Sequence, residues 1–241
     1  MNFQTLSNPI KTTLRVGAFV ATTLLIWAAY FWWRPPGPTL FLRTVAHMPE
    51  ANNEIALTFD DGPHPLTTPL LLAALKRADV KASFFVVRDG LILYPQLAKE
   101  IADDGHRFAN HSSHHINLTR IERADYPIEI DRTFEAISNA GQDTRLFRPP
   151  GGGLDRRAMN YLYDHDVTLA WWTNNVGDWA PLPAWKIAAH MQNTLRAGDI
   201  VLMHDAGTST PQAIPIIVRE ARKKGLQFAP MPESVSLYDS Q

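Results

Sequence analysis

The sequence predicts an α/β fold with a mainly parallel sheet, preceded by one N-terminal transmembrane helix. Predicted strands and helices alternate from Glu54 onwards, and such repeated units favour either a barrel or an open, doubly wound sheet. The 241 residues are 45% hydrophobic and 20% charged, which suits one globular domain with a sizeable core. A third observation, a long uncharged run near the N-terminus, predicts the transmembrane helix.

This uncharged run, residues 16–33, reads Val-Gly-Ala-Phe-Val-Ala-Thr-Thr-Leu-Leu-Ile-Trp-Ala-Ala-Tyr-Phe-Trp-Trp. At about 1.5 Å per residue it just reaches the roughly 30 Å of a bilayer core. Lys11 and Arg15 precede it and Arg34 follows it, which favours a cytoplasmic N-terminus at 1–15. We therefore predict a single-pass anchor in the cytoplasmic membrane, with the domain outside, in the periplasm or extracellular space. A cleaved signal peptide and a secreted domain are the alternative.

The remaining segments are read from composition and periodicity. Residues 34–53 are predicted to be a linker, because the Arg-Pro-Pro-Gly-Pro run at their start favours a stiff chain. The domain is predicted to span 54–229, with a tail at 230–241. Apolar runs and spacings predict strands at 55–57, 82–87, 106–110, 146–147, 168–173 and 200–203. They predict helices at 68–77, 95–104, 126–140, 184–196 and 211–224.

Composition excludes several function classes. The formal net charge is -1, so no basic field indicates nucleic-acid binding. No glycine-rich phosphate loop opens a helix in the required context, so nucleotide binding is not expected. Cysteine is absent, which excludes disulfides and thiolate chemistry. Any metal must therefore be bound by His, Asp, Glu or water.

Two acidic and two basic side chains suggest a metal site. Asp60 and Asp61 follow the first predicted strand, and neighbouring carboxylates in a partly buried place need a cation, an arginine or a shared proton. His111 and His115 lie four residues apart, so one helical turn would place both imidazoles on one face. Two such histidines and one carboxylate make a three-ligand site with open positions. His114 is an alternative to His115.

Three further polar clusters follow predicted strands, and the carboxyl ends of parallel strands meet on one face. Arg148 opens the run Arg-Pro-Pro-Gly-Gly-Gly and can hold an aspartate as an anion. The run Asn-Asn-Val-Gly-Asp-Trp at 174–179 combines amides, an acid and a tryptophan, which suit sugar binding as well as ordinary packing. His204 and Asp205 end the last apolar run. Taken alone, each cluster is also consistent with a surface turn or a core edge.

Together and in this order, the five clusters resemble the motifs of the polysaccharide deacetylase family, which is carbohydrate esterase family 4 or the NodB-homology domain. The resemblance covers roughly residues 53–229, most of the chain outside the predicted anchor. It implies a distorted (β/α) barrel and a divalent metal, usually zinc, with cobalt, manganese or nickel as alternatives. The runs that carry it are 58–63, 111–115, 148–152, 175–179 and Leu202-x-His204.

The resemblance also implies a role for individual residues. The metal ligands would be Asp61, His111 and His115. The acid–base residues would be Asp60 as general base, Arg148 to orient it, and His204 as general acid for the leaving amine. The substrate-binding residues would be Gly151, whose backbone N–H would face the oxyanion, and Trp179 and Leu202, which would line an acetyl pocket.

Two positions depart from the family pattern. The fourth motif usually opens with aspartate, and this chain has Asn175 there. An amide gives His204 no negative charge, so we expect a lower pKa for His204 unless Asp178 or Asp205 compensates. The residue after Arg-Pro-Pro is often tyrosine, and here it is Gly151, which keeps a backbone donor but removes an aromatic ring from the cleft.

The predicted function is metal-dependent removal of N-acetyl groups from an amino sugar polymer or glycan that is peptidoglycan-, chitin- or poly-N-acetylglucosamine-like. The expected partners are this glycan and a lipid bilayer that contacts residues 16–33. One alternative keeps the site but uses an O-acetyl polysaccharide ester or another amide. Another is a catalytically silent glycan-binding module, motivated by Asn175 and the tryptophans.

Overall fold

The computed structural model describes residues 42–49, 53–180 and 182–234. The predicted transmembrane segment at 16–33 lies outside these residues, as do part of the predicted linker and residues 235–241 of the predicted tail. Among the helices of the described ranges, none is long and apolar enough to cross a membrane.

Within these ranges the chain forms nine strands and seven α-helices. The strands are β1 (Thr44–Val45), β2 (Glu54–Asp60), β3 (Ser83–Val86), β4 (Arg107–Asn110), β5 (Leu146–Phe147), β6 (Thr168–Ala170), β7 (Asn174–Asn175), β8 (Ile200–His204) and β9 (Gln227–Phe228). The helices are α1 (Thr68–Ala78), α2 (Arg88–Leu93), α3 (Pro95–Asp103), α4 (Arg132–Asn139), α5 (Arg156–Asp164), α6 (Ala184–Thr194) and α7 (Thr210–Lys223). A π-helical turn, Pro127–Asp131, precedes α4.

The strands form a curled, parallel half-barrel in the order β1-β6-β5-β4-β3-β2-β8-β7, and β9 pairs with β2. The prediction of one strand at 168–173 is wrong, because β6 ends at Ala170 near one end of the sheet and β7 begins at Asn174 at the other end. An extended chain spans at most about 3.6 Å per residue, so these two points lie within roughly 15 Å of each other. This short connection requires the sheet to curl.

The alternation of side chains along β2 separates the core from the site. Ile55, Leu57 and Phe59 lie in a large apolar cluster that also contains residues of α1, α6 and α7. Ala56 lies in a second cluster together with residues of β3, β4, β5, β6 and β8. Because side chains alternate with a period of two, Asp60 shares the face of Ala56, inside the half-barrel.

Most predicted helices begin and end within a few residues of the observed ones, but α2 was not predicted. Gly90 lies inside α2, and a glycine there costs about 1 kcal/mol of helix propensity. Its position explains the glycine, because a Cβ at Gly90 would lie 3.0 Å from three atoms of Pro63. Close packing of α2 on the loop after β2 therefore outweighs local propensity.

Four other elements were not predicted as they occur. The strand β1 falls in the segment 34–53 that the sequence analysis treats as a linker, so part of that segment belongs to the sheet. Helix α5 was not predicted; it is capped by Asp155, whose side chain accepts a hydrogen bond from the Ala158 N–H. Strand β9 was not predicted either, and it is only two residues long. The predicted helix at 126–140 is α-helical only from Arg132, because the π-helical turn replaces its first part.

Candidate active site

Polar residues meet at the carboxyl ends of four strands. Asp60 ends β2 and lies beside His204, which ends β8. Asn110 ends β4 and lies beside Phe147, which ends β5 and is followed by Arg148. The parallel sheet therefore brings the predicted motifs to one edge, as the sequence analysis expected.

Three side chains at this edge form a group that fits a metal ion. Asp61 Oδ1 lies 3.4 Å from His111 Nε2 and 3.1 Å from His115 Nε2, and the ligand atoms all lie within 4.8 Å of one another. Asp61 Oδ1 is buried and forms no hydrogen bond of acceptable geometry. One carboxylate and two imidazoles are a donor set of catalytic zinc sites. We call Asp61, His111 and His115 the ligand cluster.

The backbone fixes which nitrogen of His111 faces the cluster. His111 Nδ1 lies 2.7 Å from the carbonyl oxygen of Arg148, which can only accept a hydrogen bond. His111 Nδ1 therefore carries the proton, and the lone pair of Nε2 remains free for a cation. Such an outer contact is a common feature of metal-binding histidines.

The prediction that a helical turn brings the two histidines together is wrong, because residues 111–115 form no helix. Asp61, Ser112 and His115 instead have left-handed φ angles of 76°, 69° and 54°. For residues other than glycine, such a conformation costs about 1–3 kcal/mol and is found where the surrounding structure imposes it. His114, the alternative ligand, lies outside the cluster, with Nδ1 2.5 Å from Oε1 of Glu129.

The charges of the cluster depend on one another. Burial by itself would raise the pKa of Asp61, but the close approach and the charges of His111 and His115 outweigh it and hold the pKa well below its usual range. The pairing with Asp61 raises the pKa of His115. A cation at the cluster therefore competes with protons for the imidazoles.

A buried arginine holds the second aspartate. Arg148 Nη1 donates to Asp60 Oδ1 at 2.7 Å and to Thr58 Oγ1 at 2.9 Å, and Nη2 donates to the Trp171 carbonyl at 3.1 Å. Burial lowers the pKa of Arg148, and the charge of Asp60 opposes this shift. Asp60 is only 3% exposed, and its Oδ2 lies 3.6 Å from His111 Nε2. The free oxygen of this carboxylate therefore lies next to the ligand cluster.

Asp178 gives His204 the negative charge that the amide of Asn175 cannot supply. His204 Nδ1 lies 2.7 Å from Asp178 Oδ1, and Asp178 Oδ2 accepts from the His204 N–H and from Thr210 Oγ1. Burial lowers the pKa of His204, but the hydrogen bond and charge of Asp178 outweigh it, so the pKa is raised. Asn175 is exposed and accepts a hydrogen bond from the Gly177 N–H at 2.9 Å.

Asp205, the other residue considered for this role, instead links the end of β2 to the start of α1. Its Oδ2 accepts a hydrogen bond from Thr68 Oγ1 at 2.6 Å, and its N–H donates to the Asp60 carbonyl at 2.8 Å. Burial raises the pKa of Asp205 to about 7.

The three predicted substrate-binding residues differ in exposure. Trp179 is 73% exposed and Leu202 is 5% exposed. Gly151 has φ 60° and ψ 18°, a left-handed conformation that favours glycine, and a Cβ there would meet no atom within 4 Å. A cavity of about 190 Å³ lies beside the His204–Asp178 pair. Residues that line it include Asp178, Trp179, Leu182 and Gly207.

The model of the polysaccharide deacetylase family matches residues 47–170, just over half of the chain, and this range contains the ligand cluster, Asp60 and Arg148. The chain belongs to this family. A peptidoglycan-N-acetylglucosamine deacetylase of Bacillus cereus is 30% identical over an alignment of 188 residues, and the match covers 74% of this chain and 67% of the relative.

Two further proteins support the assignment. A chitooligosaccharide deacetylase of Bradyrhizobium sp. is 29% identical over an alignment of 195 residues, and the match covers 74% of this chain and 89% of the relative. A family 4 carbohydrate esterase of Streptomyces lividans, solved in complex with acetate, has a TM-score of 0.72 and 32% identity. That alignment covers 77% of this chain and 98% of the esterase. The protein is thus a deacetylase of carbohydrate esterase family 4.

Some supporting residues of the deacetylase were not singled out from the sequence. Thr58 begins the first motif, but its contact with Arg148 depends on the curl of the sheet. Thr210 and Glu129 lie in no motif, and their partners Asp178 and His114 are 32 and 15 residues away. Sequence separation of this kind leaves no local signal.

The ligand cluster predicts the effect of removing each histidine. We expect His111→Ala and His115→Ala to lose most bound zinc, because each leaves only two protein ligands. His114→Ala should still bind one zinc ion per chain at saturating zinc, because His114 pairs with Glu129 instead. Metal analysis of the purified full-length protein measures this. If His115→Ala kept its zinc and His114→Ala lost it, His114 and not His115 would be the third ligand.

The His204–Asp178 pair predicts the alkaline side of the pH profile. A general acid must start protonated, so activity should fall as the pH rises through the pKa of His204. Because Asp178 raises this pKa, Asp178→Asn should move the alkaline limb to lower pH. Asn175→Asp is the matched control and should move the limb little. If the alkaline limb of Asp178→Asn stayed at the wild-type pH, Asp178 would not control the pKa of His204.

Proposed function

We propose that this deacetylase removes N-acetyl groups from the amino sugars of a glycan in a reaction that requires a divalent cation. One observation carries the proposal: a base and an acid lie at the same edge of the sheet as the ligand cluster. The base is paired with a positively charged residue, and the acid is paired with a negatively charged one. Arg148 stabilises Asp60 as an anion that accepts a proton. Asp178 stabilises His204 as a cation that donates one.

Asp60 is the base in this proposal because one of its oxygens is free. Arg148 occupies Oδ1, and Oδ2 lies next to His111 Nε2. We assign to Oδ2 the proton of the water that attacks the acetyl carbonyl. The arginine keeps the carboxylate charged and fixes its direction, so the base does not have to move during the step.

The ligand cluster supplies the site for the cation. A divalent ion held there would act as a Lewis acid on the carbonyl oxygen and would favour ionisation of the attacking water. The donor set suits zinc, and cobalt, manganese and nickel accept the same ligands. Besides the cation, the backbone N–H of Gly151 is the proposed group that stabilises the developing oxyanion, by donating a hydrogen bond to it.

His204 favours an amide over an ester as substrate. An amine anion is a poor leaving group, so breaking the carbon–nitrogen bond needs a proton from an acid. Asp178 keeps that proton on His204 to higher pH than an unassisted imidazole would. An alkoxide leaves an ester with less assistance, so a supported acid is more valuable for N-deacetylation than for O-deacetylation. This supports N-acetylated amino sugars as the substrate class.

Acetate release tests the function. The purified full-length protein should release acetate from N-acetylglucosamine oligomers or peptidoglycan fragments, and a chelator should abolish release until zinc is restored. Asp60→Asn and His204→Ala should each lower turnover by about 10²–10⁴-fold, because each removes one proton-transfer group. Both variants should keep their zinc, because neither residue is in the ligand cluster.

The other outcomes identify the alternatives. Acetate release from acetylated xylan, with none from amino sugars, would indicate an O-acetyl esterase. Glycan binding without acetate release, with binding unaffected by Asp60→Asn, would indicate a silent binding module. Loss of zinc in Asp60→Asn would mean that Asp60 and Asp61 exchange roles.

We also propose that residues 16–33 anchor the protein in the cytoplasmic membrane, with the catalytic domain outside. The support is the uncharged run itself and the basic residues before it. The full-length protein should sediment with membranes, and protease added to the outer side should digest residues 42–234. A soluble mature protein that begins near residues 34–40 would indicate a cleaved signal peptide instead.

A further inference from the structure

The π-helical turn Pro127–Asp131 contacts the loop that carries both histidines of the ligand cluster. Asn110 Nδ2 donates to the Ile130 carbonyl at 2.8 Å, and Ser113 Oγ donates to the Ile128 carbonyl at 2.5 Å. Two carbonyls of the turn, one on each side of Glu129, thus accept hydrogen bonds from the loop. π-Helical turns are rare and occur often at functional sites.

Glu129, between these two carbonyls, contacts the loop with its side chain. Its side chain is only 5% exposed. Oε1 lies 2.5 Å from His114 Nδ1, and Oε2 accepts a hydrogen bond from the His114 N–H at 3.1 Å. A buried carboxylate is costly unless hydrogen bonds compensate it, and both oxygens of Glu129 are used on this one residue.

The two histidines of the cluster are held in different ways. His111 is held through its own ring, by the hydrogen bond to the Arg148 carbonyl. The side chain of His115 is 48% exposed, and its polar contact within the described residues is Asp61. His115 also has a left-handed backbone, with φ 54°. Its position therefore depends on the backbone before it, and Glu129 holds that backbone at His114.

We propose that Glu129 is a positioning residue for metal binding, which places His115 by fixing the backbone of His114. The inference rests on the proposed metal-dependent function. Outer contacts of this kind change metal affinity by about 10–100-fold when they are removed. A side chain that served only the fold would change stability without a selective effect on zinc binding.

Zinc affinity of the full-length protein, measured by competition with a chromophoric chelator, tests the proposal. Glu129→Ala should bind zinc about 10–100-fold more weakly than the wild type, and excess zinc should restore its activity. Glu135→Ala is the matched control, because Glu135 is an exposed glutamate in the adjoining helix, and it should keep wild-type affinity. Circular dichroism of the metal-free forms shows whether each variant is folded.

A second variant separates positioning from charge and from misfolding. Glu129→Gln can still accept from the His114 N–H and can donate its amide N–H to His114 Nδ1 in the other tautomer, so it should keep most of the affinity. Wild-type affinity in a folded Glu129→Ala overturns the proposal and leaves the function intact. If Glu129→Ala does not fold, Glu129→Asp is measured instead, because its carboxylate is one methylene shorter and cannot make both contacts with His114; wild-type affinity in that variant overturns the proposal. A wild-type protein that binds no zinc would overturn the metal-dependent function as well.

Discussion

The buried ion pair between Arg148 and Asp60 is the constraint on which the rest of the site depends. The guanidinium is fully buried and lies 3.8 Å from the ring centroid of Phe85. Its charge cannot be removed by deprotonation, so the carboxylate of Asp60 must compensate it. Losing one partner of such a pair costs about 3–5 kcal/mol, because the other is left buried and unpaired. Asp60 is therefore held in place by the stability of the fold itself.

This arginine also connects parts of the chain that are distant in sequence. Its side chain joins Thr58 and Asp60 on β2 to the carbonyl of Trp171, in the segment that crosses between the two ends of the sheet. Its own carbonyl accepts the hydrogen bond that fixes His111. One residue thus stabilises the base and orients a metal ligand. Asp178 acts in the same way on the other side, where its two oxygens hold the side chain and the backbone of His204.

The sequence allowed prediction of the strand–helix order, the edge that carries the site and the residues that meet there. These predictions rest on short-range patterns, such as the apolar run before Asp60 and the one before His204. For the support of His204, these patterns named Asp178 and Asp205 as candidates but could not decide between them. The motif position itself holds Asn175, and the contact is made by Asp178, three residues later. The strand prediction at 168–173 failed because an apolar run does not show at which end of the sheet it pairs.

The remaining errors fall where the site overrides local preference. Spacing of four residues indicated a helical turn for the two histidines, yet left-handed backbone at Ser112 and His115 brings their rings together. A regular helix was expected over residues 126–140, but its first part is the π-helical turn Pro127–Asp131. Periodicity assumes 3.6 residues per turn, so it cannot show an irregular turn that is formed by contacts with a loop. Local rules fail here for one physical reason: the geometry of the ligand cluster is imposed by contacts between segments and not by the preferences of either segment.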